Sequence, residues 1–324
     1  MPGDAAPLVV LLPVYDDWPA VSRLVPLIAA ELAASGPVGV LIVDDGSIRE
    51  AVDLPVPNGL VWVRILRLRR NVGHQRALAI GLSYIDEHVD CHAVVVMDAD
   101  GEDRPSDLVH LLERYGRSPD SPIVFAERRR RVEGIGFRVF YLLYRWLHWA
   151  LTGRTIRIGN FSVLPRKRLA SLVVVSELWI HYAAAAVRSR QPICTVPTER
   201  GLRLDGVSRM NFVALVIHGL SAISVYSDVV FTRLVTLTGC LALVSMIGMV
   251  TVVGIRTFTT LAIPGWASYV LGILLLLVLQ AVMFAASLMF IVLGSRQQVP
   301  VIPRRDYREF VADVREMAAV TPAP

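Results

Sequence analysis

The sequence predicts an α/β fold: a Rossmann-like, mainly parallel sheet, followed by interfacial helices and two transmembrane helices. Three observations carry that prediction. Short β-branched apolar runs alternate with helix-period segments over the first 127 residues, as strands buried on both faces and their crossover helices do. Hydrophobic residues make up 54% of the 324 positions and mean hydropathy is +0.52, high for a chain without a membrane part. Charge is segregated: Lys/Arg to Asp/Glu is 10 to 19 over residues 1–127, 16 to 4 over 128–209, and 7 to 5 beyond. An acidic half able to hold metal is thus followed by a basic segment suited to phosphates or anionic head groups.

The elements follow in chain order. "LVVLLPV" (8–14), "VGVLIV" (38–43), "LVWVRIL" (60–66), "AVVVM" (93–97) and "PIVFA" (122–126) read as strands. Helical patterns lie between them near 18–34, 73–88 and 105–116. The last has Pro105 near its start, Asp107 in its first turn and Gly116 at its stop, each where helix-end chemistry favours it. Such a βαβ series gives a mainly parallel sheet with helices on both faces. Beyond residue 127, "GIGFRVFYLLYRWLHWALTG" (134–153) is an aromatic helix interrupted by Arg138, Arg145 and His148. It is too polar to span a bilayer and suits the headgroup layer. "NFVALVIHGLSAISVYSD" (211–228) is a second helix of that kind. Packing of both on the sheet is the alternative.

Leu234 to Ile255 is 22 residues without a charge, about 33 Å as a helix and enough to cross a bilayer core. Pro264-Gly265 then separates it from a second span, Trp266 to Leu293, with Trp266 and Tyr269 at its interfacial end. The organisation expected is a catalytic domain over 1–230, a transmembrane hairpin over 231–296 and a C-terminal tail over 297–324. The N-terminus lacks the basic region of a signal peptide. Arg296, Arg304, Arg305 and Arg308 follow the second span, against Arg256 alone between the spans. By the positive-inside rule the catalytic domain and both termini are expected in the cytoplasm, on the plasma or inner membrane. That anchoring argues against nucleic acid as the partner of the basic segment. Cys91, Cys194 and Cys240 have no metal spacing and read as reduced thiols.

Ligands of parallel sheets collect at the carboxyl ends of the strands. There the chain places Tyr15-Asp16 after strand one, Asp44-Asp45-Gly46-Ser47 after strand two, and Asp98-Ala99-Asp100 after strand four. Asp98, Asp100, Glu102 and Asp103 fall within six residues. Carboxylates so spaced can turn toward one point and hold a hard divalent cation, Mg²⁺ or Mn²⁺, that shares its coordination with substrate phosphates. A solvated acidic loop capping the next helix, through Asp103 and Asp107, is the bland alternative.

Order and spacing add to this. "LLPVYDD", "LIVDDGS", "RLRRNVGHQRALAIGL" and "VVVMDADGEDRP" together resemble the nucleotide-sugar-binding core of family-2 glycosyltransferases of the GT-A fold. Within that family the chain is similar to polyprenyl-phosphate glycosyltransferases, the group of dolichyl-phosphate mannose synthases and bacterial undecaprenyl-phosphate glucosyl and aminoarabinosyl transferases. The similarity runs over roughly residues 8–300 and includes "RLDGVSR" (203–209), like the family's Arg-x-x-Gly-x-Ser-Lys. It implies inverting transfer of one sugar from a UDP- or GDP-sugar to a polyprenyl phosphate, assisted by Mg²⁺ or Mn²⁺, for cell-envelope glycan assembly. It also implies a homo-oligomer, a tetramer being plausible.

By that resemblance Pro13, Tyr15, Asp16 and Asp44 line the base pocket, and Asp98 contacts the ribose side of the donor. Asn71, Gly73 and Arg76 begin a helix facing its phosphates. Asp98, Asp100 and Glu102 form the metal set; Asp100, Arg128 and Arg203 the catalytic set; and Arg128, Arg138, Arg203 and Arg209 receive the acceptor phosphate. His74 and Gln75 read as first-turn surface residues. Two positions depart from the family. Glu102 stands where Gln is usual, and either ligates the cation or is solvated. Asn160, in "IGNFSV", stands where the family has Asp proposed as base or acceptor-positioning group. Asn is no base near neutral pH. A phosphate acceptor, already largely dianionic there, needs none. The other possibilities are a different acceptor (diacylglycerol, ceramide or a polysaccharide) or an impaired, scaffold-like protein.

Overall fold

The computed structural model describes residues 6–51, 56–116, 118, 120–128, 135–154, 158–205, 212–259, 265–296 and 299–317. The first unit contains strands β1 (Leu8–Val14), β2 (Val38–Asp44), β3 (Leu60–Leu68), β4 (Ala93–Val96), β5 (Ile123–Arg128), β6 (Ser162–Pro165), β7 (Ile193–Thr198) and β8 (Val311–Glu316). Its helices include α1 (Trp18–Glu31), α2 (His74–His88), α3 (Asp107–Tyr115), α5 (Arg166–Leu172), α6 (Tyr182–Arg188), α7 (Phe212–Ser224) and α10 (Pro303–Asp306). Helix α4 (Ile135–Thr152) runs out of this unit. The second unit holds its end together with α8 (Ser227–Phe258) and α9 (Trp266–Arg296).

The strand order is β7-β5-β6-β4-β1-β2-β3-β8. Pairs β1–β2, β1–β4, β2–β3 and β5–β7 are parallel, whereas β4–β6, β5–β6 and β3–β8 are antiparallel. The expected α/β sheet is therefore present, with three strands that its first 127 residues do not contain. The 7-residue β1 is buried along its whole length, and its side chains alternate between two cores. Val9 and Leu11 join Leu41, Leu78, Leu82 and Ile85 on the α2 face, while Val10 and Leu12 join Ile42, Val21, Leu24 and Ile28 on the α1 face. That double cover makes the strand runs apolar without alternation.

Two differences from the sequence reading have clear causes. Residues expected as a tail return to the sheet, with β8 pairing along β3 from Arg64↔Glu316 to Leu68↔Val311. The return is locked onto the end of α2. Arg304 Nε donates to Asp86 Oδ2 at 2.8 Å and the Tyr307 hydroxyl to Glu87 Oε2 at 2.6 Å, while Asp86 Oδ1 also accepts from Arg166 of α5 at 2.6 Å. Second, the helix expected over 211–228 stops at Ser224, and α8 starts anew at Ser227, seven residues before the expected span. Val225 and Tyr226 between them are buried, at 2% exposure each.

In the second unit α8 and α9 have 32 and 31 residues, about 48 and 46 Å at 1.5 Å per residue. Both are long and apolar enough to cross a membrane, and only 11% and 6% of their most apolar windows is buried. A core helix of a soluble domain would be mostly covered.

Candidate active site

The carboxyl rim of the sheet gathers three loops. At the end of β1, Asp16 takes a left-handed conformation (φ 53°), which Asp tolerates better than most residues. Its Oδ1 accepts the backbone N–H groups of Ile48 and Arg49 at 2.9 and 3.0 Å, and its own N–H donates to Ser47 Oγ at 2.9 Å. At the end of β2, Asp44 is 3% exposed and its Oδ1 accepts the Ser47 N–H at 2.9 Å. Two residues expected to meet the nucleoside thus spend carboxylate oxygen on shaping its loops. Tyr15 is partly exposed beside them, and Pro13 is buried within β1.

Asp45, placed on the rim by the sequence but given no role there, organises the next loop. Its two oxygens accept the N–H groups of Val72 and Gly73 at 2.7 and 2.9 Å, tying the end of β2 to the entry of α2. Burial pushes its carboxyl above the ordinary range, against the pull of these two N–H donors. Gly46 has φ 67°, and a Cβ there would lie 2.5 Å from the Arg70 carbonyl carbon, so only glycine lets the two loops approach this closely. Asn71 is exposed, Gly73 (φ 93°) caps α2, and Arg76 in the first turn lies over the Trp179 ring at 5.9 Å.

After β4, the Asp98 N–H donates to Asp103 Oδ2 at 3.0 Å and the Glu102 N–H to Asp100 Oδ1 at 2.9 Å. Residues 199–205 lie across this acidic loop as a strap. The Gly201 N–H donates to the Glu102 carbonyl at 2.8 Å and the Leu204 N–H to the Asp100 carbonyl at 2.9 Å. Arg203 donates from Nη1 to Asp100 Oδ2 at 3.2 Å and from Nη2 to Asp17 Oδ2 at 2.5 Å. Burial, then the neighbouring Asp98 and Glu102 charges, hold the Asp100 carboxyl above its ordinary range, opposed by the Glu102 N–H and by Arg203. Glu102 itself pairs with Arg200, as Asp100 does with Arg203.

Among the described residues no three His, Cys, Asp or Glu side chains are gathered to hold a metal. Asp98 and Asp100 offer carboxylate oxygens on this loop, and burial, with the Asp98 and Glu102 charges, disfavours the ionised Asp100, which a cation would relieve. Mg²⁺ commonly rests on one or two carboxylates and completes its shell with water and substrate phosphate. The carboxylate oxygens of Asp98 and Asp100 fit such a hard divalent ion.

His74, read from sequence as a surface residue, stands in the site. Its Nε2 lies 3.3 Å from Asp98 Oδ1 and 2.9 Å from Asn160 Nδ2. Burial alone would lower its pKa, but the Asp98 carboxylate, by charge and by hydrogen bond, raises it above the ordinary value, with Asp45 and Asp103 adding to this. The Asn160 amide is oriented from behind. The Tyr182 N–H donates to Gln75 Oε1 at 2.7 Å, and Gln75 Nε2 donates to Asn160 Oδ1 at 3.3 Å. The Asn160 NH₂ can donate to His74 Nε2 only when that nitrogen carries no proton; protonated, Nε2 donates to Asp98 instead.

The remaining expected residues are only partly placed. Arg128 ends β5 and Arg138 lies in α4, each described in backbone alone; Arg209 lies outside the described residues. The basic strap residue Arg200 and the acidic Asp17 were missed. Their only sequence signal is proximity to the motifs, since each is defined by a partner far along the chain.

Comparison with known proteins agrees with this architecture. Residues 9–166 match the family model "Glycosyl transferase family 2". The chain is 25% identical over 252 residues to YkcC, an uncharacterized glycosyltransferase of Bacillus subtilis (strain 168), covering 71% of each chain. It is 26% identical over 253 residues to an uncharacterized glycosyltransferase of Synechocystis sp., covering 73% of this chain and 74% of the relative. The structure superposes on the crystal structure of glucosyl-3-phosphoglycerate synthase from Mycobacterium tuberculosis in complex with Mn²⁺, UDP and phosphoglyceric acid. That match has a TM-score of 0.50 at 15% identity and covers 70% of this chain and 79% of that one, a likeness of fold. The family-2 match over residues 9–166 and the mainly parallel sheet they help build support a GT-A-like fold.

Proposed function

We propose that this chain transfers a single sugar from a UDP- or GDP-sugar to a polyprenyl phosphate at the cytoplasmic face of a membrane, inverting the anomeric centre. The observation that carries the reading is the pairing across the rim of Asp100 with Arg203, 3.2 Å apart. One side chain suits a cation that accompanies a diphosphate, the other suits the phosphates themselves. A divalent cation held by Asp98 and Asp100 would supply charge neutralisation for the departing nucleoside diphosphate. An acceptor phosphate oxygen attacks the anomeric carbon, and the bond to the diphosphate oxygen breaks with its electron pair leaving on the nucleotide. A phosphate dianion carries no proton that must be removed, so Asn160 in place of a base is compatible with this acceptor. Arg203, together with Arg128, Arg138 and Arg209, supplies the positive charge that two approaching anions require.

The membrane side of the reading rests on connectivity. The apolar pair is preceded by β7 and followed by β8, strands of one sheet. That connectivity supports an inserted pair that leaves and re-enters on one side of the membrane, and the arginines after α9 favour the cytoplasm. The mycobacterial protein of the same fold was crystallised with Mn²⁺ and UDP, and the same cation and nucleotide class belong to this proposal. A homotetramer is part of the expectation carried from the family resemblance.

The test offers purified full-length protein in detergent undecaprenyl phosphate, Mn²⁺ and a panel of radiolabelled UDP- and GDP-sugars. Label moving into the organic phase from one donor, and lost in Asp100→Ala, is the expected result. Transfer only to a diacylglycerol, a ceramide or a glycan would overturn the acceptor. Donor binding without any transfer would favour a scaffold.

A further inference from the structure

Arg203 is shared unequally between two carboxylates. Nη2 lies 2.5 Å from Asp17 Oδ2, Nη1 lies 3.2 Å from Asp100 Oδ2, and Nε donates to the Asp205 carbonyl at 2.9 Å. All three side chains are about four-fifths covered, at 20%, 22% and 19% exposure for Arg203, Asp17 and Asp100. Asp17 holds a telling position, since it is the N-cap residue of α1 yet makes no side-chain hydrogen bond to the helix. An Asp at an N-cap ordinarily accepts an orphan N–H of the first turn. Here Pro19 has no N–H to offer and the Ala20 N–H goes to the Asp17 carbonyl, which leaves the carboxylate to Arg203. Helix α1 grips the strap at a second point, where Arg23 Nη1 donates to the Leu204 carbonyl at 2.7 Å and faces Asp205 Oδ1 at 3.5 Å.

Arg203 and a divalent cation are rivals for Asp100, because two positive charges cannot settle on one carboxylate without repelling each other. We propose that Asp17 is a positioning residue: it draws Arg203 to the α1 side, leaving Asp100 available to the cation while keeping the guanidinium beside it. This rests on the cation role given to Asp100 above. Without Asp17, the guanidinium closes on Asp100 as a full partner, with the bidentate geometry that Arg and carboxylate favour. Cation affinity then falls although no ligand has been changed. The arrangement assigns a role in metal affinity to a residue that does not touch the metal.

The test is a double-mutant cycle on Mn²⁺ binding to the full-length protein in detergent, without nucleotide, reading free Mn²⁺ by electron paramagnetic resonance. The variants are Asp17→Asn, Arg203→Gln, their combination and Asp100→Asn, each first checked for a wild-type melting transition. Asp17→Ser, which keeps a capping side chain, and Asp17→Glu, which keeps the charge, accompany them. Asp17→Asn and Asp17→Ser are expected to weaken Mn²⁺ about tenfold, the size of coupling usual within one ion-pair network, and Asp17→Glu to restore most of the loss. In the Arg203→Gln background the Asp17→Asn loss should vanish, since there is no guanidinium left to misplace. An equal loss in both backgrounds would mean that Asp17 acts only as one more negative charge, and the inference fails. No loss in either background sinks it as well. If the wild type does not bind Mn²⁺, or Asp100→Asn binds it undiminished, the cation role of Asp100 falls first and takes this inference with it.

Discussion

Asp45→Asn is the sharpest test of how the rim is held together. The carboxylate accepts two backbone N–H groups, Val72 at 2.7 Å and Gly73 at 2.9 Å, from a side chain 3% exposed. Hydrogen bonds to a charged group contribute about 1.5–3 kcal/mol each, so the gross stabilisation is about 3–6 kcal/mol. Burial works against it and pushes the carboxyl pKa up. Asn matches Asp in shape but presents one oxygen and one NH₂, so one N–H keeps a neutral acceptor and the other faces a donor. The expected net cost is about 2–4 kcal/mol, which lowers Tm by about 4–16 °C for a domain of this size. Differential scanning calorimetry of the detergent-solubilised protein reads the shift, and donor titration reads the displacement of the α2 entry as a raised KM. A melting temperature within about 1 °C of wild type would refute the reasoning, because an unpaired buried N–H has no such low cost.

Three further outcomes are expected. Gly101→Ala puts a Cβ 2.4 Å from Leu204 Cγ at a residue with φ 82°; it should loosen the strap, seen as faster hydrogen exchange at residues 199–205 and a several-fold fall in transfer. Asp86→Ala leaves Arg166 and Arg304 without their shared carboxylate, which is 11% exposed. The loss should be about 1–3 kcal/mol, below that of a fully buried pair because both arginines reach solvent, and exchange along Val311–Glu316 should rise. Mn²⁺ at a hundredfold excess over its Kd should stabilise the wild type by about 2.7 kcal/mol, and Asp100→Asn should abolish this. Its pH dependence has a definite sign. Burial, with Asp98 and Glu102, raises the folded carboxyl pKa of Asp100. This group's contribution to stability is therefore fully present below the unfolded value and lost as pH rises through the folded one. Mn²⁺ stabilisation must run the opposite way, growing through that window and absent at its acid end, which calorimetry across the acidic range will show.

Local chemistry made much of the molecule legible in the sequence. The five strands of the first 127 residues and the three helices between them lie where apolar runs and helix-end residues place them. The carboxylates on the rim follow from strand ends, because parallel strands all deliver their carboxyl ends to one side. The two apolar helices follow from length and absence of charge. What the sequence could not decide was pairing at a distance. β6 enters antiparallel between β4 and β5, and β8 returns to β3 from more than 240 residues away; neither leaves a trace in local periodicity. The same limit governs the site. Glu102 read as a metal ligand or a solvated residue, and nothing local pointed to its partner Arg200, 98 residues away. Asp17, Asp45 and His74 had no assigned role until folding set them against Arg203, the Val72–Gly73 backbone and Asp98. Sequence fixes which groups reach the rim, through spacing that local backbone geometry converts directly into position. Only the tertiary structure chooses which oxygen each donor meets, because that choice is made between segments whose approach no local rule contains.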